Sequence, residues 1–68
     1  MRDQLEKLVQ EMLDKGVLYD DARREFEKVF LTRALERTSG GVGEAAELLG
    51  LHRNTVTRKM SEYKIKSR

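Results

Sequence analysis

A chain of 68 residues is at most one domain, and it buries too small a fraction of its surface to be stable by a wide margin. It holds no cysteine and a single histidine, His52, which excludes disulfide staples and thiolate metal sites and leaves oligomerisation as a common remaining support. The net charge of +2 hides a split: residues 1–50 carry 8 Lys/Arg against 11 Asp/Glu, whereas Arg53, Arg58, Lys59, Lys64, Lys66 and Arg68 face Glu62 alone, a footprint for nucleic acid or an anionic membrane.

No apolar run approaches the roughly 20 residues that span a bilayer, and no signal-peptide pattern opens the chain, so a cytoplasmic protein is expected. Residues 2–16, RDQLEKLVQEMLDKG, set Leu5, Leu8, Val9, Met12 and Leu13 at the i, i+3, i+4, i+7, i+8 spacing of an amphipathic helix, which Gly16 stops. A second helix is expected from about Asp20 to Thr38, with Asp20 or Asp21 as its N-cap. On it Ala22, Phe26, Val29 and Phe30 form one apolar stripe, while Leu31, Ala34 and Leu35 drift onto a second face. A helix with two apolar faces needs two packing partners. Ser39, Gly40 and Gly41 end it.

The third helix is short, about Val42 to Leu49, and Gly50 stops it. The fourth runs from about Arg53 to Tyr63, and the basic tail KIKSR, residues 64–68, is expected to fray. There is no proline, no repeat and no strand pattern, so the fold class is all-α with four helices in one domain, 1–68.

Residues 42–63 carry the chemistry. Ala45 and Ala46 are small enough to let two helices cross closely, Leu48, Leu49 and Leu51 are expected to fill the angle, and Gly50 permits a positive φ. With Val56, Met60 and Tyr63 on the buried side of the fourth helix, Asn54, Thr57, Arg58 and Ser61 share the opposite face and Thr55 flanks it. Arg53 and Lys59 lie on the shoulders. This is the pattern of a helix-turn-helix whose second helix enters the major groove, where such side chains pair with base edges. The plainer alternative for these cations is a solvated helix face. His52 is expected to be a cap, and GGVG lacks the Lys-Ser/Thr of a P-loop, so it is a helix end and loop. Phe26, Phe30 and Tyr63 are expected in the core and Tyr19 exposed.

Helices three and four occupy one another and one face of helix two. Leu5, Leu8, Val9, Met12 and Leu13, with Phe26, Val29 and Phe30, are left short of partners, so residues 1–38 are expected to form a dimeric four-helix bundle. Packing within a monomer is the alternative.

GEAAELLGLHRNTVTRKMSEYKI resembles the C-terminal DNA-binding domain of the NtrC-type bacterial enhancer-binding activators, which share their helix-turn-helix with the nucleoid protein Fis. The resemblance runs from about residue 20 to 66, and RNTVTRKM is the closest part. It implies a protomer that dimerises through its first two helices on a two-fold upstream enhancer site, bending the DNA. In such activators the domain follows an AAA+ ATPase module acting on the nitrogen-type alternative sigma factor. None of that module is present, so the chain is expected to be a fragment. By resemblance Arg53, Thr55 and Arg58 match DNA-contacting positions, and Asn54, Thr57 and Lys59 lie in the same block. The expected base-facing set is Arg53, Asn54, Thr55, Thr57 and Arg58. Lys59, Ser61, Lys64 and the backbone N–H of Gly43 are the expected phosphate contacts. Two departures stand out: GGVG lacks the family's polar phosphate-touching residue, and His52 stands where Asn or Ser caps better.

No nucleophile–base pair, carboxylate pair or metal cluster is evident, so no enzyme, cofactor, small-molecule ligand or membrane partner is expected; double-stranded DNA and a second copy are the expected partners. A helical protein-interaction module would leave the turn and the basic fourth helix unexplained. A stand-alone Fis-like architectural protein is the competing DNA-binding role, since the chain starts almost directly in helix one.

Overall fold

The computed structural model describes residues 1–66; Ser67 and Arg68, the end of the expected basic tail, lie outside the described residues. Four helices follow in order: α1 (Arg2–Asp14), α2 (Tyr19–Arg37), α3 (Val42–Leu49) and α4 (Arg53–Tyr63), with no strand among the described residues.

The core is built by the last three. Leu31, Ala34 and Leu35 of α2 pack with Ala45 and Ala46 of α3 and Val56, Met60 and Tyr63 of α4, and Val42, Leu49 and Ile65 close its edges. Val56 and Ala45 are fully buried. Burying a side chain the size of Val56 stabilises by roughly 1.5–3 kcal/mol, a large share of what a domain this small has. The small alanine pair lets the helices approach closely, and of the larger neighbours only Leu49 packs on the core. Leu48 and Leu51, expected in the angle between the helices, remain 51% and 41% exposed instead. They turn toward the apolar surface of α2.

Each helix ends in the same way. Gly16, Ser39, Gly50 and Lys64 adopt left-handed φ values of 74°, 54°, 70° and 55°. The next N–H then reaches back five residues: Val17 to Met12, Gly40 to Leu35, Leu51 to Ala46 and Ile65 to Met60, at 2.9, 2.7, 2.9 and 2.8 Å. These bonds satisfy carbonyls the helix leaves open. The last one corrects the expected fraying at residue 65, since Ile65 packs on the core.

α2 begins one residue earlier than expected and ends one earlier. Its N-cap is Leu18, with no side-chain cap bond; Asp20 and Asp21 sit inside the first turn, where they favour the positive end of the helix dipole. Thr38 stands just past the end, its hydroxyl donating to the carbonyls of Ala34 (3.1 Å) and Leu35 (3.3 Å).

α1 buries no residue. Leu8 and Met12 line a groove of about 660 Å³ together with Phe26, Val29, Phe30 and Leu48. Phe26 and Phe30, expected in the core, are 54% and 50% exposed within the single chain, their rings 5.2 Å apart along that groove. Tyr19 is exposed, as expected.

Candidate nucleic-acid interface

The turn between α3 and α4 occupies Gly50 to His52. Gly50 takes the left-handed φ without steric cost. His52 then starts α4: it is extended, and its Nδ1 accepts the backbone N–H of Asn54 at 3.2 Å. Histidine thus fills the capping role that Asn or Ser usually plays.

From that start, helical geometry sorts the side chains. Val56, Met60 and Tyr63, at i, i+4 and i+7, go into the core. Arg53, Asn54, Thr57, Arg58 and Ser61 are exposed, and Thr55 is half-buried on the flank. None of Arg53, Arg58, Lys64 and Lys66 is ion-paired with an acid among the described residues. Gly43, in the first turn of α3, is exposed as well, and a side-chain nitrogen of Arg53 lies 4.0 Å from where a β-carbon on Gly43 would stand.

Lys59 is paired within the single chain. Expected at a phosphate, it folds back onto α2, with Nζ 3.3 and 3.2 Å from the two carboxylate oxygens of Glu27. Glu27 also accepts from the Tyr63 hydroxyl and, at 3.3 Å, from Arg23. The Tyr63 hydrogen bond, with Lys59 and Arg23, holds the Glu27 carboxyl below its ordinary range against the opposing effect of burial. The same hydrogen bond, reinforced by burial, pushes the Tyr63 phenol up. Beside it, Arg24 pairs with Glu62 at 3.2 Å and lies 5.3 Å over the Tyr63 ring. Arg23, Arg24 and Glu27 were not singled out in the sequence. Their spacing on α2 marks an exposed charged face, and nothing local links them to residues over thirty positions on.

No group of three or more His, Cys, Asp and Glu able to hold a metal occurs among the described residues. No described helix is long and apolar enough to cross a membrane.

A short helix packed through an alanine pair onto a second helix, across a left-handed glycine, with a polar and cationic outer face, defines a DNA-binding helix-turn-helix domain. The chain belongs to the Fis family of bacterial regulatory proteins, whose profile matches residues 22–63, more than half of it. It is 51% identical over 45 residues to the DNA-binding transcriptional regulator NtrC of Klebsiella pneumoniae and equally to that of Escherichia coli, matches covering 66% of this chain and 10% of each relative. It is 40% identical over 50 residues to a Fis-like DNA-binding protein of Xylella fastidiosa, covering 74% of this chain and 56% of that one. The chain thus spans about a tenth of the length of the NtrC relatives it matches. No solved structure matches it significantly.

Proposed function

We propose that the chain binds double-stranded DNA sequence-specifically as a homodimer, presenting two copies of α4 to successive major grooves of a two-fold enhancer site. The output would be transcriptional activation with the nitrogen-type alternative sigma factor, by way of domains outside this chain. The observation that carries the DNA-binding part is the outer face of α4, where Arg53, Asn54, Thr57 and Arg58 stand exposed opposite the buried Val56–Met60–Tyr63 seam. Arg pairs with guanine O6 and N7, Asn with adenine N6 and N7, and Thr with base edges or a thymine methyl. In this reading the Gly43 N–H, Ser61 and Lys64, all exposed, would touch phosphate at the edges of that face. The half-exposed stripe of Leu5, Leu8, Val9, Met12 and Leu13 with Phe26, Val29 and Phe30 supports the dimer. Successive half-sites on straight DNA are about 34 Å apart. A closer pair of recognition helices, as in Fis-like domains, would require the duplex to bend, adding specificity through DNA flexibility.

The test is fluorescence anisotropy with a duplex selected from random sequence, across a salt series. Log affinity should fall linearly with log salt, since each neutralised phosphate releases counterions. Salt-independent binding, or equal affinity for selected and random duplexes, sinks the proposal.

A second role, as a stand-alone Fis-like architectural protein, is favoured by the Xylella fastidiosa relative, of which this chain covers over half. The codons preceding residue 1 discriminate the two.

A further inference from the structure

The side of α4 that turns away from the exposed DNA-facing residues is held by directed polar ties as well as by apolar packing. Glu27 lies at the centre of them. Its side chain is 26% exposed, that of Lys59 22%, and Tyr63 is buried. Lys59 and Tyr63 are one helical turn apart on α4 and both close on the same carboxylate. On the next turn of contact, Arg24 reaches Glu62 and covers the Tyr63 ring.

Apolar burial is non-directional and tolerates some rotation of a helix about its own axis. Hydrogen bonds and ion pairs are directional and do not. The seam of Val56, Met60 and Tyr63 therefore fixes which side of α4 faces inward, whereas the ties from Glu27 fix how far the helix is rolled. A few degrees of roll at the helix axis move the tips of long side chains by much more, and bidentate base pairing is sensitive to that displacement.

We propose that Glu27 is a positioning residue for DNA recognition, setting through Lys59 and Tyr63 the roll of α4 and so the register of Arg53, Asn54, Thr57 and Arg58 against base edges. This rests on the DNA-binding role proposed above. It makes Lys59 a cation directed at the protein's own α2 rather than at phosphate. It also reverses the sign that general electrostatics assigns to an acid on a DNA-binding protein. Removing a negative charge ordinarily strengthens binding to a polyanion. Removing this one weakens specific binding.

The experiment uses the 68-residue chain, the selected duplex and a random duplex of equal length, with affinities measured over a salt series. Glu27→Gln keeps an acceptor for the Tyr63 hydroxyl and removes the charge; Lys59→Met keeps the apolar stem. Each should lower the ratio of specific to random affinity by about tenfold with the salt slope unchanged, and the double variant should lose no more than either single one, because both break the same tie. Thermal melts establish that each variant is folded. Should Glu27→Gln fail to fold, Lys59→Met carries the test, together with Glu62→Gln, which removes only the more exposed Arg24 pair and should lower the ratio by a smaller factor. Either of two outcomes overturns the proposal. One is a folded Glu27→Gln that keeps the wild-type ratio. The other is a Lys59→Met that loses affinity equally on both duplexes with a salt slope shallower by about one, the signature of a phosphate contact. A wild-type chain that does not discriminate between the duplexes sinks the DNA-binding role itself, before any variant is compared.

Discussion

Arg53, the first residue of α4, places a guanidinium nitrogen 4.0 Å from the β-carbon position of Gly43, the second residue of α3. The cation carried by the first residue of α4 therefore reaches the N-terminal turn of α3. Each helix start contributes about half a positive charge. Gly43 has no positive φ that would require glycine, and an added methyl meets only the movable tip of Arg53. Gly43→Ala should thus raise unfolding stability by about 0.5–1 kcal/mol, read by urea denaturation. If its N–H approaches a phosphate, the same variant should bind DNA a few-fold more weakly. Unchanged affinity would remove Gly43 from the interface.

Arg58 is exposed in the middle of the outer face and pairs with no acid among the described residues. Arg58→Ala should weaken binding to the selected duplex by about 1–3 kcal/mol and relax preference at one base position. Equal losses on selected and random duplexes would instead assign Arg58 to phosphate.

α1 buries none of its 13 residues within the single chain. A helix of that length is marginal alone in water, so its order should depend on a second copy. Leu8→Glu should turn a sedimenting dimer into a monomer and lower helical circular dichroism by about the contribution of α1. A variant that still sediments as a dimer would put the interface elsewhere.

Sequence pattern reached the bounds of α3 and α4 because Gly41, Gly50 and His52 mark them locally. It reached the core through helical spacing: Leu31, Ala34 and Leu35 on α2, and Val56, Met60 and Tyr63 on α4. It misplaced Leu48 and Leu51 because periodicity gives the side of a helix a residue occupies but not how near a neighbouring helix comes; of the three leucines expected between the helices only Leu49 packs on the core. The destination of Lys59 was illegible for a related reason. Glu27 is 32 residues earlier on a helix whose charged face carries no mark of what crosses it. The start of α2 failed differently, since two adjacent acids suit a cap and a first turn equally well, and here the first turn holds both.

The Glu27–Tyr63 pair makes stability depend on pH at both ends. The folded Glu27 carboxyl titrates below its unfolded value, which is about 4.3. Its contribution is therefore present above that pH and is lost as pH falls through the folded value. The folded Tyr63 phenol titrates above its unfolded value of about 10. Its contribution is present below pH 10 and is lost as pH rises through the folded value. Melting temperature against pH should show both limbs in the wild type, with the acid limb flattened in Glu27→Gln. Parallel acid limbs in the two proteins would show that Glu27 contributes no linkage.

The repeated left-handed stop after every helix bears on how quickly this chain assembles. Each boundary is closed by a bond between residues only five apart, so no helix waits on a distant strand or loop to know where it ends. Chains dominated by such near-neighbour contacts reach their native state on the order of milliseconds or less. The C-terminal limit of each helix is therefore encoded by the residues beside it, whatever later packing supplies the stability of the helix itself. The packing of α4 against α3 and α2, including the ties from Glu27 to Lys59 and Tyr63, forms once α4 itself has been made.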